Sequence, residues 1–246
     1  MLKEDIYRDL TNRNGEVISG QELADSHSVS RTAVWKAVRS LQDEGYPVTS
    51  VGRKGYRIAP GTDLLTADGI RAWLDHPDSF RLCLYRRIDS TNAQAERMIA
   101  DGFRGAALIA AEGQSRGRGH NSSLFDSPAA AGLYMTLLLP LHVPFSEVSQ
   151  ISRMAGQAVL AAVSSFSDHP FHVEKISDIF DGDKKISGVL CEVIATDLES
   201  GCTDTVIAGI GIHLDTLQDA VTRDRLAASV TNHLMALLKD RSYSPV

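Results

Sequence analysis

The sequence predicts a two-domain α+β protein, in which a small helical N-terminal domain precedes a larger domain built on a mixed or antiparallel β-sheet with helices on one face. Apolar residues recur at helical spacing before residue 45, whereas the later apolar runs are short and separated by glycine and aspartate turns, as in strands. The Pro/Gly joint APGTDLL separates the two patterns. We therefore expect a boundary near Thr62, giving domains 1–62 and 63–246.

The composition excludes several classes of protein. No segment approaches the roughly 20 consecutive apolar residues of a membrane span, and the N-terminus MLKEDIYRDL lacks the apolar stretch of a secretory signal. The net charge of -6 argues against non-specific binding to nucleic acid. Three cysteines without metal-ligand spacing are typical of reduced thiols in the cytoplasm. They are Cys83, Cys191 and Cys202.

The N-terminal domain has the pattern of a helix-turn-helix. Residues 3–13 predict a first helix, and Ser19 with Glu22 three positions later predicts the start of a second. Ser30 then caps a third helix in SRTAVWKAVRSL, which Gly45 ends. Two short helices joined by a tight turn are typical of DNA-binding domains that place the second of them in the major groove.

The segment after the third helix predicts a β-hairpin with a basic tip, because two alternating strands flank Gly52-Arg53-Lys54-Gly55. Residues 1–60 carry a charge of +1 and the remainder -7, so the basic charge is local to this domain. A helix-turn-helix with a basic wing favours DNA binding over the alternative, a helical protein-interaction module. Trp35 is open to either a core or a surface position. The residues that we expect to contact DNA are Ser30, Arg31, Thr32, Trp35, Lys36, Arg53 and Lys54.

The larger domain predicts six strands and four helices. The strands lie in RLCLYRRI, AALIAAE, GLYMTLLLP, FHVEKI, KISGVLCEVIAT and DTVIAGIGIHL. The helices cover LTADGIRAWL and the ranges 93–100, 146–166 and 222–239. The chain ends at SYSPV soon after its last helix, so we expect no small C-terminal β-barrel.

Four short motifs carry possible chemistry, each with a plain structural alternative. The stretch 114–123, QSRGRGHNSS, is either an anion-binding loop of backbone N–H groups and arginines or a flexible surface loop. The strand beginning Lys184-Lys185 either extends a lysine to solvent or holds a carboxylate. Asp89-Ser-Thr-Asn is a helix cap or part of a pocket. The glycines of Gly209-Ile-Gly-Ile-His indicate close approach to the strand backbone.

In order and spacing, the STN, Q-x-x-GRG, K-x-x-G and G-x-G-x motifs resemble the biotin protein ligases. SRTAVWKAVRSL and GRKGYRI resemble the members of that family that also repress the biotin operon, and the similarity runs from about residue 4 to residue 240. The resemblance implies an enzyme that joins biotin to AMP with ATP and Mg²⁺, then transfers biotin to a lysine of a biotin carboxyl carrier domain. It also implies that biotinyl-AMP drives homodimer formation and operator DNA binding.

The resemblance also assigns roles to individual residues. Biotin would contact Ser90, Thr91, Asn92, Gln114, Arg118, Gly119, His120, Lys185 and Gly188. The nucleotide would contact Phe125, Ser177, Asp178 and His213. Arg118, Lys185 and Asp178 would be catalytic, with Arg118 near the acyl-phosphate and Asp178 holding Mg²⁺ or positioning the phosphate.

Several positions depart from the family pattern, and most of them face the nucleotide. His120 and Ser123 stand where arginines are usual, and Phe125 replaces the tryptophan that stacks on adenine. Glu174 replaces a lysine and His213 an asparagine. In a continuous strand the next residue along, a lysine, would point to the opposite face and would not compensate for Glu174.

Two functions remain open on these residues. The first is an active biotin ligase and repressor, and the second is a DNA-binding repressor that senses biotin or a related carboxylate without adenylating it. A lipoate-type acyl transferase agrees less well with the N-terminal domain. An unrelated effector domain would make the order of the four motifs a coincidence.

Overall fold

A computed structural model of the chain describes residues 2–13, 15–43, 48–58, 63, 65–120, 123–128, 131–194, 201–215, 217 and 221–240. The chain divides into two compact units, Met1–Leu74 with Thr222–Arg225, and Asp75–Val221 with Leu226–Val246. The boundary expected near Thr62 lies outside the described residues, so the domain limits stay a prediction. Among the described residues, no helix has both the length and the apolar character needed to cross a bilayer.

The described part of the first unit contains the three helices predicted for the N-terminal domain and a fourth, in LTADGIRAWL, that was expected in the larger domain. They are α1 (Leu2–Asn12), α2 (Gly20–Ser26), α3 (Arg31–Asp43) and α4 (Ala67–Trp73). The Ser19 hydroxyl accepts the Glu22 backbone N–H at 3.0 Å, and the Ser30 hydroxyl accepts that of Ala33 at 3.1 Å. Serine caps therefore start α2 and α3 as the sequence predicts. The expected end of α3 at Gly45 lies outside the described residues.

The hairpin follows α3 and is joined to the chain before α2. Strands β1 (Val48–Val51) and β2 (Gly55–Ile58) pair antiparallel, and Ile18 forms a further bridge to Tyr56 through two N–H···O bonds of 2.9 Å. The core of this unit is apolar and includes residues of α4. Its fully or nearly fully buried members include Ile6, Leu10, Leu23, Val34, Val38, Leu41 and Ala72. Trp35 is 55% exposed, so it belongs to the surface.

A buried carboxyl group also lies in the first unit, at the start of helix α7 (Arg223–Asp240). Asp224 is fully buried and accepts two hydrogen bonds from Thr66, from its backbone N–H at 2.7 Å and its hydroxyl at 2.8 Å. The Tyr7 hydroxyl is a third donor at 3.4 Å. Burial raises the pKa of Asp224 to about 7, because removal from water penalises the ionised form more than these donors stabilise it.

The second unit contains a mixed sheet, as predicted. Its strands are β3 (Arg81–Tyr85), β4 (Ala107–Ala111), β5 (Gly132–Leu139), β7 (Phe171–Glu174), β8 (Asp178–Asp181), β9 (Lys184–Val193) and β11 (Val206–His213). Their order is β3-β4-β5-β11-β9-β8-β7, with β3 and β4 parallel and the other neighbours antiparallel. A separate short pair, β6 (Val143–Pro144) and β10 (Cys202–Thr203), was not predicted, and neither was β8.

The helices of this unit cover both faces of the sheet, so the expectation of helices on one face is wrong. Helix α5 (Thr91–Ala100) contacts Glu192 of β9 through Asn92, whereas α6 (Val148–Ser164) contacts Cys191 through Ser152. Neighbouring residues of a strand point to opposite faces. The physical reason is that β5 and β11 are mostly apolar and buried along nearly their whole length, so both of their faces need cover.

Candidate functional site

A cleft of about 480 Å³ lies in the second unit, a volume within the usual range for ligand pockets. Residues from all four sequence motifs line it. The predicted ligand residues among them are Ser90, Thr91, Asn92, Gln114, Arg118, Gly119, His120, Phe125, Ser177, Asp178, Lys185 and Gly188. His213 is not among the lining residues. The motifs, which are up to about 120 positions apart in the chain, therefore meet at one cleft.

A chain of hydrogen bonds forms the polar floor of the cleft. The side-chain carbonyl of Gln114 accepts the Thr91 backbone N–H at 2.8 Å, and its amide donates to Ser127 at 3.0 Å. The fully buried Thr136 donates to Asn92 Oδ1 at 2.6 Å and lies 2.8 Å from Thr91 Oγ1. Because these groups hold one another, the floor is set before any ligand binds.

The STN motif both caps a helix and builds the cleft. Ser90 accepts the Ala93 backbone N–H at 3.4 Å and so starts α5, whereas Asn92 faces the sheet. A Cβ atom at Gly209 would overlap the Asn92 amide, so only glycine permits this contact. The motif is therefore both a helix cap, through Ser90, and part of the cleft, through Asn92.

Phe125 lines the cleft and packs against the glycines of its strands. Its ring lies against the backbone of Gly211, where a Cβ atom would overlap it, and beside Gly188. It also stacks on His213, with ring centroids 5.3 Å apart and an angle of 18° between planes. The strand glycines thus allow close approach of side chains, as the sequence predicts. His213 contributes as the support of Phe125.

The Gly-rich loop is folded back on itself and uses several of its own N–H groups. The backbone N–H of Gly119 donates to Ser123 O at 2.8 Å, and that of Phe125 donates to Gly117 O at 2.9 Å. The backbone N–H of Arg116 donates to Asp89 O at 2.8 Å. These donors are not available to an anion, so the expected cradle of backbone N–H groups is reduced here. The Arg118 side chain is the charged donor that the loop presents to the cleft.

Arg118 is paired with two carboxylates. Its guanidinium donates to Glu96 through both terminal nitrogens, at 2.6 and 3.0 Å, and to Glu192 at 3.4 Å. Hydrogen bonding to Glu96 raises the pKa of Arg118 above its usual value. Asn92 donates to the second oxygen of Glu192 at 2.6 Å and joins this group to the floor.

The opposite side of the cleft carries two lysines around one carboxylate. Lys185 Nζ lies 2.7 Å from Asp178 Oδ1, and Lys175 Nζ lies 3.8 Å from Asp178 Oδ2. Lys175 lines the cleft, contrary to our expectation, because β7 ends at Glu174 and the next residues form a turn. Lys175 has a φ of +55°, so the alternation of a continuous strand does not apply to it.

The described residues do not fit a magnesium ion held by protein ligands. Mg²⁺ prefers several oxygen ligands in octahedral geometry, and no group of three or more possible metal-ligating side chains occurs in the part of the chain that the structure describes. Asp178 supplies one carboxylate, but two ammonium groups flank it. We therefore assign no step to the metal.

The residues predicted to contact DNA all lie in the first unit and are all exposed to solvent. Ser30 precedes α3 and the other helix residues lie in its first two turns, while Arg53 and Lys54 occupy the tip of the hairpin. The exposed set consists of Ser30, Arg31, Thr32, Trp35, Lys36, Arg53 and Lys54. An exposed helix start and a basic hairpin tip suit contacts to bases and phosphates.

Several residues of the cleft region were not predicted from the sequence, and three polar ones among them had a signal. Thr136 is a polar residue in an otherwise apolar strand, and Glu192 shares a face with Gly188 by strand alternation. Glu96 lies four residues after Asn92, one helical turn away. Lys175 had no such signal, because its position depends on a turn.

Comparison with known proteins defines the class of this protein. Residues 3–57 match an HTH domain, and residues 84–212 match the Biotin/lipoate A/B protein ligase family. The second match covers more than half of the chain, so the chain belongs to the Biotin/lipoate A/B protein ligase family.

Its relatives include proteins with the same two parts. The chain is 31% identical over 219 residues to the bifunctional ligase/repressor BirA of Bacillus spizizenii and 31% identical over 215 residues to that of Bacillus subtilis. The matches cover 89% and 87% of this chain but only 66% and 65% of the two relatives. The chain therefore spans about two thirds of the length of the relatives that it matches.

Solved structures of biotin protein ligases share the fold. The enzyme of Leishmania major in complex with biotinyl-5-AMP has a TM-score of 0.52 at 22% identity, covering 65% of this chain and 75% of that one. The enzyme of Aquifex aeolicus in complex with biotin and ATP has a TM-score of 0.50 at 25% identity, covering 66% of this chain and 73% of that one.

Proposed function

We propose that this protein is a biotin protein ligase that also represses transcription, acting on biotin, ATP, a biotin carboxyl carrier domain and operator DNA. The observation that carries the proposal is the convergence of Ser90, Gln114, Arg118 and Lys185 on one cleft. Family membership and the relatives named as bifunctional ligase/repressors support it.

In the proposed reaction, a carboxylate oxygen of biotin attacks the α-phosphorus of ATP and pyrophosphate leaves. The ε-amine of the carrier lysine then attacks the acyl carbon of biotinyl-AMP, which forms an amide and releases AMP. The first step brings two anions together, so cations must offset the charge of the transition state. Arg118, Lys185 and Lys175 are the lysine and arginine side chains that line the described part of the cleft, and we assign them this work.

The first unit would supply the repressor activity. We propose that α3 enters the major groove with its first turns and that the hairpin tip contacts phosphates or the minor groove. Arg31 and Lys54 are exposed representatives of the two elements. Binding of biotinyl-AMP would favour a homodimer, which presents two such units to a two-fold operator.

Biotin binding is tested by isothermal titration calorimetry on two neighbouring lysine variants. Lys185→Ala removes a cleft cation and should weaken binding by one to two orders of magnitude, roughly what the loss of a charge-assisted hydrogen bond implies. Lys184→Ala is the matched control, because Lys184 pairs with Asp215 and does not line the cleft. Equal affinities in the two variants would remove Lys185 from the biotin site.

Ligation is tested by intact-mass analysis of an acceptor domain incubated with the protein, biotin and Mg-ATP. We expect one biotinyl group on the acceptor and none when biotin or ATP is omitted. Absence of the product at high protein concentration, with biotin binding retained, would reject the ligase.

A second candidate is a repressor that senses biotin or a related carboxylate and does not adenylate it. The pairing of Arg118 with Glu96 and of Lys185 with Asp178 favours it, since paired cations stabilise a new anion less well. This candidate predicts that biotin alone, without ATP, changes the affinity for operator DNA. Substitutions that restore family residues, His120→Arg and Phe125→Trp, should then give ligase activity to an inactive parent.

A further inference from the structure

Two carboxylates that do not themselves line the cleft, Glu96 and Glu192, hold its arginine, and together we call them the acidic clasp. Both contact Arg118, and Glu96 does so with bidentate geometry at 2.6 and 3.0 Å. Bidentate guanidinium–carboxylate pairs combine charge with fixed orientation and are among the stronger ion pairs. The guanidinium is therefore oriented by protein carboxylates.

The clasp reverses the local charge. One guanidinium and two carboxylates sum to -1, so an anion that approaches Arg118 meets net repulsion until one carboxylate withdraws. The two carboxylates differ in how freely they can do so. Glu192 is held by Asn92 at 2.6 Å and stays with the cleft floor. Glu96 lies on α5 with 38% of its side chain exposed, so it can rotate into water.

We propose that Glu96 is a specificity-determining residue, which competes with the acid group of the ligand for Arg118 and so lowers the preference of the cleft for free carboxylates. The inference rests on the proposed function, because it requires an acidic ligand at Arg118. Glu96 occupies the position on Arg118 that a ligand carboxylate would take. A ligand must displace it, and a ligand that offers more hydrogen-bond acceptors to the guanidinium, such as an acyl phosphate, does so more readily.

Competition of this kind predicts a change in selectivity that a purely structural ion pair would not produce. In Glu96→Gln the guanidinium loses its bidentate carboxylate and keeps the longer contact to Glu192, so biotin should bind about fivefold more tightly, the upper range for a largely exposed ion pair. The uncharged amide of biotin does not compete with Glu96 as a charged partner of the guanidinium. Its affinity should stay the same, and the ratio of the two affinities should rise about fivefold.

The experiment compares calorimetric affinities for biotin and for its amide in the full chain and in four variants. They are Glu96→Gln, Arg118→Ala, the double variant of these two, and Asp204→Asn. Asp204 is a charge-matched control, because it pairs with the exposed His142 and does not line the cleft. We expect tighter biotin binding in Glu96→Gln alone, and no effect of that substitution when Arg118 is already absent. Equal biotin affinity in the wild type and Glu96→Gln, or the same gain in the Arg118→Ala background, would overturn the proposal.

A second readout needs no ligand and separates the clasp from the proposed function. Phenylglyoxal modifies accessible arginines, and peptide mass analysis gives the rate at Arg118 relative to Arg104, which donates to backbone carbonyls. Loss of Glu96 should raise the rate at Arg118 several-fold, and Asp204→Asn should not. An unchanged rate overturns the clasp. If the rate rises but biotin binds neither to the wild type nor to Glu96→Gln, the proposed function is rejected. The role of Glu96 as a competitor for Arg118 is then retained, with an acid other than biotin as the ligand.

Discussion

The backbone and the side chain of Lys175 have separate effects that substitution can distinguish. The backbone conformation favours glycine for stability, whereas the side chain favours a cation for ligand binding. Its φ of +55° lies in the left-handed region that favours glycine, and its ammonium lies 3.8 Å from Asp178 at the edge of the cleft. A strained residue at a binding site is retained when its side chain is needed. Three substitutions distinguish the two features: Lys175→Ala, Lys175→Gly and Lys175→Arg.

The expected change in stability follows from the backbone. A non-glycine residue in the left-handed region costs about 1–2 kcal/mol, and glycine loses roughly 0.5–1 kcal/mol more conformational entropy on folding. Lys175→Gly should therefore be more stable than Lys175→Ala by about 0.5–1 kcal/mol. Lys175→Ala and Lys175→Arg keep the strain and should have free energies of unfolding close to that of the wild type. Chemical denaturation measures these values.

The expected change in binding follows from the side chain. The side chain of Lys175 is 76% exposed, so solvent limits its interaction with a phosphate to about 1 kcal/mol, which corresponds to about a fivefold loss of affinity. Calorimetry with biotinyl-AMP should show this loss in the alanine and glycine variants alike, whereas arginine should retain most of the affinity. Biotin, which has no phosphate, should bind all four proteins within about twofold.

The two measurements together decide the role of Lys175. A more stable glycine variant that binds biotinyl-AMP more weakly means that strain is kept for the sake of the charge. A more stable glycine variant with wild-type affinity for biotinyl-AMP would contradict this role. So would a loss of biotin affinity equal to the loss for biotinyl-AMP, because the effect would then not depend on the phosphate.

Three further outcomes follow from the structure. Because the pKa of Asp224 is raised, the folded protein binds its proton more tightly than the unfolded chain does, and the free energy of unfolding falls as the pH rises from about 4 to about 7. Asp224→Asn should remove this fall, which amounts to up to about 4 kcal/mol over that pH range. The fluorescence of the two tryptophans, which both lie in the first unit, follows the unfolding. Arg31→Ala and Lys54→Ala should each reduce the salt dependence of binding to a DNA duplex selected from a random library. The slope of log affinity against log salt concentration should fall by roughly one unit for each phosphate that is no longer neutralised. Arg8→Ala is the control and should leave the slope unchanged, because it removes an equal charge that is paired within α1. Thr136→Val leaves buried partners without a hydrogen bond, so it should destabilise the second unit by about 1–3 kcal/mol and weaken biotin binding; unchanged unfolding midpoints would show that the floor tolerates its loss.

The sequence predicted most elements of the fold because the signals for them are local. The serine caps at Ser19 and Ser30 and the basic hairpin depend on a few neighbouring residues, and the structure contains all of them. Gly209 and Gly211 were also informative, because a missing side chain in an apolar strand leaves room for a group that packs on the backbone. Strand β8 was missed because its four residues, DIFD, carry too short a pattern to separate from the turns beside it.

The rest depended on contacts between distant parts of the chain. The face on which a helix packs is not set by its own periodicity, so the placement of α6 on the opposite face from α5 could not be predicted from either helix alone. The place of Lys175 depended on where β7 ends, and one residue of difference turns a side chain from one face to the other. Glu96 is an ordinary helix-surface residue until the Gly-rich loop brings Arg118 to it.

The charges that line and surround the cleft are balanced before any ligand arrives, and this balance connects the two candidate functions. The cations Arg118, Lys175 and Lys185 are matched by the carboxylates that contact them, Glu96, Glu192 and Asp178. A free acid replaces one carboxylate with another and gains little, whereas the adenylate carries the same single negative charge but adds phosphate and ribose oxygens as hydrogen-bond acceptors. The paired cations therefore favour the sensor only if the adenylate gains nothing from these added acceptors; a ligase should bind the adenylated form more tightly than the free acid, whereas a sensor of biotin needs no such preference. Measured affinities for biotin and biotinyl-AMP that differ by less than about tenfold would favour the sensor.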